Sequence, residues 1–220
     1  MKIKAIIFDS SVLINIPKEE MRQALNKIIS YYTPATAFLK KYKQLFKKLQ
    51  TGMSEDEFFK KLLKDLPARS AKRIREQHDN KRSKLVSLNK GVKSSLTTLS
   101  NNYKIGLISN MPQEWFMKDA IRLGLKLDFF NKMLFADNKR KKPEDKVFIQ
   151  ACKELKVNRS RCAYITNHED EALSAANLGM TVITLGSVEG DFNINELTEL
   201  IDLFSNEDIV PKKLHEVDSP

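Results

Sequence analysis

Three apolar runs in this chain end in residues that could meet a ligand. Ile3, Ala5, Ile6, Ile7 and Phe8 lead into Asp9-Ser10-Ser11, Ile105–Ile108 into Ser109-Asn110, and Cys162–Ile165 into Thr166-Asn167-His168-Glu169-Asp170-Glu171. A fourth stretch, Lys142-Pro143, follows Lys139, Arg140 and Lys141 and opens a helical pattern from Glu144 to Leu155. A carboxylate such as Asp9 either caps the turn that follows it or faces a ligand, and Ser109 either caps the helix near Gln113 or does the same. The Ser11 hydroxyl has no useful pKa near neutrality, so it cannot serve as a general acid or base.

The apolar runs that carry these residues are short and nearly continuous, as expected of strands buried on both faces of a parallel sheet. Met133–Phe135 and Val182–Leu185 repeat the pattern, and helical patterns separate the later runs. The expected fold class is α/β, a doubly wound five-stranded parallel sheet, which binds ligands at the carboxyl ends of its strands. Asp9, Ser109, Thr166 and Asn167 all fall at such ends. Between the first two strands the chain has helical spacing only. Met21, Leu25, Ile28, Ile29 and Tyr32 form one stripe, and Phe38, Leu39, Tyr42, Leu45, Phe46 and Leu49 another. Ser54-Glu55-Asp56-Glu57 reads as a capping box opening a third helix that Pro67 ends. An insertion this long is too large for a crossover. The expected organisation is an α/β core from residues 1–17 and 89–205, a helical subdomain at 18–88 and a polar tail at 206–220.

The stretch from Lys142 to Met180 resembles, without a gap, the second half of a haloacid dehalogenase-like (HAD) hydrolase. The resemblance extends over nearly the whole chain, and the helical insertion falls where one subfamily carries its cap. It implies that Asp9 is the nucleophile forming an aspartyl intermediate, that Ser109 holds the transferred group, and that Lys142 neutralises charge on both. It places Ser11 at the acid/base position, usually Asp, and Val12 where Gly is usual. Asn167 falls on the position of a Mg²⁺-binding Asp, with Glu171 where a second acid often stands. Ser11, Asn110 and Thr166 fall in the substrate-binding part of these motifs. Asp9, Asn167 and Glu171 would then bind Mg²⁺ weakly, for want of anionic ligands.

The bulk numbers bound the alternatives. The chain has 220 residues, 41% apolar, enough for one α/β domain with an insertion. A net charge of +10 favours anionic partners. The basic run from Arg69 to Lys84 lacks the interleaved aromatic or groove-reading residues a nucleic-acid surface needs. It reads as a solvated helix face, some of whose charge could draw an anion toward the site. No apolar stretch approaches a membrane span, and two cysteines with no leader-like N-terminus point to a soluble, cytoplasmic protein. The expected function is a divergent hydrolase acting on a small anionic substrate, a phosphate ester first. Its competitors are a non-catalytic binding or regulatory protein with a protein partner, and a metal-independent haloacid dehalogenase, whose halide leaves without a proton. Asp9–Ile14 also resembles the opening of PIN-domain ribonucleases, ranked last because the further carboxylates those need are not found in the expected places and because Lys142-Pro143 and the turn Leu178-Gly179-Met180 would go unexplained.

Overall fold

The computed structural model describes residues 2–32, 34–137 and 141–205. The tail at 206–220 and the basic residues Lys139 and Arg140 lie outside them.

The chain begins with β1 (Ala5–Asp9), the one-turn helix α1 (Ser10–Leu13) and the short β2 (Ile14–Asn15). Four helices follow, α2 (Lys18–Ile29), α3 (Ala35–Leu49), α4 (Glu55–Leu62) and α5 (Ala68–Leu85). Then come β3 (Ser87–Leu88), α6 (Val92–Leu99), β4 (Lys104–Ser109), α7 (Gln113–Arg122), β5 (Lys132–Phe135) and α8 (Asp145–Leu155). The chain continues through β6 (Cys162–Thr166), α9 (Glu169–Asn177), β7 (Thr181–Leu185), β8 (Phe192–Ile194) and α10 (Glu199–Ser205).

Six strands form one parallel sheet in the order β5-β4-β1-β6-β7-β8. The expected strand count of five is therefore corrected to six. The added strand, β8, has three residues and follows Gly190-Asp191, so it lacks the continuous apolar run that marks the others. Along β1 the side chains alternate. Ile6 and Phe8 join the cluster under α1, α6, α7 and α10, while Ala5 and Ile7 join the one under α8 and α9. Gly106 interrupts β4 for a packing reason: a Cβ there would lie 3.0 Å from Leu155 Cδ1 and 3.2 Å from Ile7 Cγ1. The missing side chain lets α8 lie close against the sheet.

The α2–α5 layer buries its own apolar cluster, including Leu25, Ile29, Phe38, Leu49, Phe58 and Ile74, and takes in Trp115 of α7. The Ser54 hydroxyl accepts from the Glu57 N–H at 3.2 Å, the first half of a capping box, but the Glu57 carboxylate pairs with Lys61 at 2.6 Å. Pro67 does not end α4, which stops at Leu62; it precedes the first residue of α5. Among the described residues of 18–88 the one strand is β3, which pairs antiparallel with β2 at the base of the layer. No helix among the described residues is long and apolar enough to cross a membrane.

Candidate active site

Strand order decides what meets at the carboxyl edge. β1 lies between β4 and β6, so Asp9 has Ser109 on one side and Thr166 on the other. Lys142 enters from the loop before α8, and Asn110 fixes its position. The Asn110 side-chain amide donates to the Lys142 carbonyl at 3.1 Å, and its oxygen accepts from the Lys142 N–H at 2.9 Å. A cleft of about 590 Å³ opens above, lined by Asp9, Ser11, Asn110, Lys142, Asn167, His168 and Glu171 below and by α2, α3 and α5 residues above.

Asp9 is 1% exposed. Its Oδ1 pairs with the Lys142 ammonium and accepts from the Ser11 N–H at 3.2 Å; its Oδ2 accepts from the Ser11 hydroxyl at 2.5 Å. It is thus both the cap of α1 and the residue facing the cleft. Burial alone would raise its pKa, but the Lys142 charge and hydrogen bond, with the two Ser11 bonds, hold it below the ordinary carboxylate value of 3.8. It is an ionised carboxylate, the form a nucleophile needs.

Glu171 is the other acid on Lys142. Its Oε1 lies 2.9 Å and its Oε2 3.0 Å from the ammonium. Oε2 also accepts from Tyr164 at 2.6 Å and Thr166 at 3.0 Å. Burial and then the Asp9 charge push Glu171 above its ordinary 4.5, against the pull of Lys142 and Tyr164. The two carboxylates compete for one cation, and Asp9 holds the closer contact. Of the pair, Glu171 is therefore the one that protonates first as pH falls.

Ser11 Oγ lies 2.6 Å from Asn167 Oδ1 as well as 2.5 Å from Asp9 Oδ2. One hydroxyl proton cannot serve two acceptor oxygens. With the Asn167 amide turned, its NH₂ donates to Ser11 while Ser11 donates to Asp9, and every group is satisfied. The positions where the family motif has its acid/base and its metal-binding Asp are thus tied to each other.

The remaining expected residues are placed differently. Ser109 is fully buried and absent from the cleft lining. Its hydroxyl donates to Ser10 Oγ at 2.8 Å and accepts from the Met111 N–H at 2.9 Å, and Ser10 in turn donates to Asp9 at 3.3 Å. It reaches Asp9 only through Ser10. Thr166 is fully buried and holds Glu171 rather than facing the cleft. Val12 is buried in the sheet cluster. His168 has Nε2 3.7 Å from Asp9 Oδ2 and lines the cleft. Sequence reasoning missed Ser10 and Tyr164. Tyr164 sits inside an apolar strand run, and only its hydroxyl distinguishes it from core.

Asp9, His168 and Glu171 each bring one donor atom within 4.8 Å of one another, a cluster that could hold a metal ion. Mg²⁺ needs an octahedral oxygen shell at about 2.0–2.1 Å. Both Glu171 oxygens are bonded to Lys142, Tyr164 or Thr166, Asn167 is bonded to Ser11, and His168 offers nitrogen. The ammonium already stands between the two acids. Within the Asp9–His168–Glu171 cluster only Asp9 Oδ2 is an anionic oxygen clear of Lys142, so this cluster does not fit a protein-built Mg²⁺ site.

Arg82 was read with its neighbours as a solvated face, and here the structure differs. Arg82 is 7% exposed, bonds Asp119 of α7 at 2.5 Å and stacks 4.5 Å from the Trp115 ring centroid. Asp119 also meets Arg122 at 3.3 Å. Nothing in the basic run separates Arg82 from Arg73 or Lys84, because its partners lie more than thirty positions away.

The family model for haloacid dehalogenase-like hydrolases matches residues 6–185. Among solved structures, a 2-haloacid dehalogenase from Pseudomonas syringae pv. Tomato DC3000 is 19% identical, with 92% of this chain and 98% of that chain covered and a TM-score of 0.67. A HAD phosphatase from Thermococcus onnurineus is 20% identical, covering 94% and 100%, with a TM-score of 0.68. The HAD-hydrolase YfnB from Bacillus subtilis, solved bound to magnesium, is 16% identical, covering 93% and 100%, with a TM-score of 0.64. No curated protein matches the chain.

Proposed function

The chain belongs to the haloacid dehalogenase-like hydrolases, and from that premise we propose that it hydrolyses a small organic phosphate ester through Asp9, without a protein-held Mg²⁺. One observation carries this reading: a buried carboxylate, kept ionised by Lys142 and Ser11, opens onto the cleft. In the proposed reaction an Asp9 oxygen attacks phosphorus, the P–O bond to the organic group breaks, and the organic oxygen leaves with the bond's electrons. Water then attacks the aspartyl phosphate, releasing phosphate and restoring Asp9. Lys142 offsets charge on both reacting groups. His168 stands on the cleft side of Asp9, where its ring can hold the attacking water. With Ser11 in the acid position, the leaving group departs unprotonated, so the substrate carries a good leaving group such as a phenoxide. Residues 18–88 act as the cap and residues 1–17 with 89–205 as the core, the cleft lying where they face each other.

A second reading is displacement of halide from a 2-haloacid, which needs neither a proton donor nor Mg²⁺. The Ser11–Asn167 bond favours it, because it ties up both positions that a metal-dependent phosphatase would use. The test is a turnover panel of aryl phosphates, sugar phosphates and 2-haloacids, each with Mg²⁺ and with chelator. The proposal expects aryl phosphates to turn over in chelator and sugar phosphates to lag far behind. Halide release alone would install the second reading, and no turnover of any class would leave a binding protein.

A further inference from the structure

The cleft has a second polar end that the hydrolase reading does not use. Arg82 lines it, yet among the described residues only its Nη2 is bonded, to Asp119 and weakly to the Met111 sulfur. The flat Trp115 ring beneath fixes the guanidinium plane. Asp119 is shared between Arg82 and Arg122, so this group carries one positive charge in excess. Tyr42 of α3 lines the same cleft, and no hydrogen bond to another described residue engages its hydroxyl. Burial pushes its phenol up to about 12, against the pull of the Arg82 charge, so it stays a neutral donor at working pH. The same cleft is also lined by apolar side chains, among them Leu25, Phe46 and Trp115.

We propose that Arg82 and Tyr42 form a carboxylate-binding subsite, and that the substrate is an apolar or aromatic phosphate ester bearing a carboxylate remote from its phosphoryl group. Guanidinium N–H groups left free in a partly desolvated cleft form charge-assisted bonds to a carboxylate, and the Tyr42 O–H adds a third donor. The excess positive charge favours an anion over a neutral acceptor. The apolar lining supplied by Leu25, Phe46 and Trp115 favours a ring over a polyol. The inference rests on the hydrolase reading for what meets Asp9, and on the cleft alone for what meets Arg82.

Binding can be read without turnover, because Trp115 is the chain's one tryptophan and lines the cleft. The probes are 4-(phosphonomethyl)benzoate and the neutral-tailed 4-isopropylbenzylphosphonate, neither of which has a cleavable P–O–C bond. Titration followed by Trp115 fluorescence is expected to show the carboxylate probe binding roughly tenfold or more tightly. Tyr42→Phe, which keeps the ring and the fold, should cut that preference several-fold, and Arg82→Lys should erase it. Equal affinity for the two probes, no binding of either, or a preference untouched by Tyr42→Phe overturns the subsite. Turnover of 4-carboxyphenyl phosphate against phenyl phosphate separates the two claims. Preference among phosphonates without turnover removes the hydrolase reading and keeps the subsite. Turnover without preference does the reverse.

Discussion

Two buried ion assemblies line one cleft, and they are charge inverses. At the sheet edge one lysine, Lys142, is shared by two carboxylates, Asp9 and Glu171. At the base of the helical layer one carboxylate, Asp119, is shared by two arginines, Arg82 and Arg122. The first leaves a negative charge in excess and holds an ionised carboxylate. The second leaves a positive charge in excess and presents donors. A buried cation can leave its partner reactive or leave itself available, according to which side of the pair outnumbers the other.

The largest effect expected of any single change is at Asp9. Asp9→Asn removes the proposed nucleophile, so turnover should fall by roughly 10³-fold or more. The fold should survive, since Lys142 keeps Glu171 as its partner. A native circular dichroism spectrum with no turnover is the expected pair of results. Residual activity above a hundredth of the wild type would move the nucleophile elsewhere.

The comparison predicts a similar loss of stability at both assemblies when the shared ion goes. Lys142→Met strands two buried acids, and Asp119→Leu strands Arg82. Removing one partner of a buried pair costs about 3–5 kcal/mol, read here as a lower urea midpoint. The two should part on repair. Arg82→Met with Asp119→Leu removes the central pair and should recover most of the loss, since a matched apolar pair can replace a buried ion pair at little cost. Lys142→Met has no single repair, because either remaining acid is still unpaired.

These two assemblies also show what the sequence made legible. Lys142 stands out because Lys-Pro opens a helix-strand-helix run with no gap to Met180, and the strand ends nearby are short apolar runs with a polar stop. A parallel sheet with its polar strand ends at the carboxyl edge follows from that pattern, and so does the meeting of Asp9, Lys142 and Glu171. Arg82 lies in a helix where every third or fourth residue is basic, and its burial depends on where α7 packs. Helical periodicity gives a face, not a partner. Ser109 and Thr166 stand at strand ends as the pattern indicates, but their contacts are not legible in it: one hydroxyl reaches Asp9 through Ser10 and the other holds Glu171. The missing β8 is three residues at a sheet edge, too short for a period to register.

A smaller effect is the pH dependence of the sheet-edge corner, where the two acids should have opposite signs. Asp9 has a folded-state pKa below its ordinary 3.8, so its contribution to stability is present above that pH and lost as pH falls through the depressed value. Glu171 has a folded-state pKa above its ordinary 4.5, so its contribution is fully present below 4.5 and lost as pH rises through the raised value. Urea midpoints across pH should therefore show Glu171→Gln gaining on the wild type as pH rises from 4.5 toward neutrality. A gain in the opposite direction would mean that Lys142 favours Glu171 over Asp9.

The smallest effect tests whether the two arginines on Asp119 are equivalent. Arg122 is about one-third exposed, against 9% for the Arg82 side chain, and its contact to Asp119 is 3.3 Å rather than 2.5 Å. It also donates to the Val86 carbonyl at 3.0 Å. Solvent screens such a partner, and exposed pairs contribute about 0.2–1 kcal/mol. Arg122→Met should therefore lower stability by about 1 kcal/mol or less, since Arg82 alone still neutralises Asp119. It should, however, remove the excess positive charge from that end of the cleft. Weaker binding of 4-(phosphonomethyl)benzoate with little change in urea midpoint would locate the function of Arg122 in its charge. A large drop in midpoint with unchanged binding would make it a structural brace, and the inversion between the two assemblies would then be one of geometry alone.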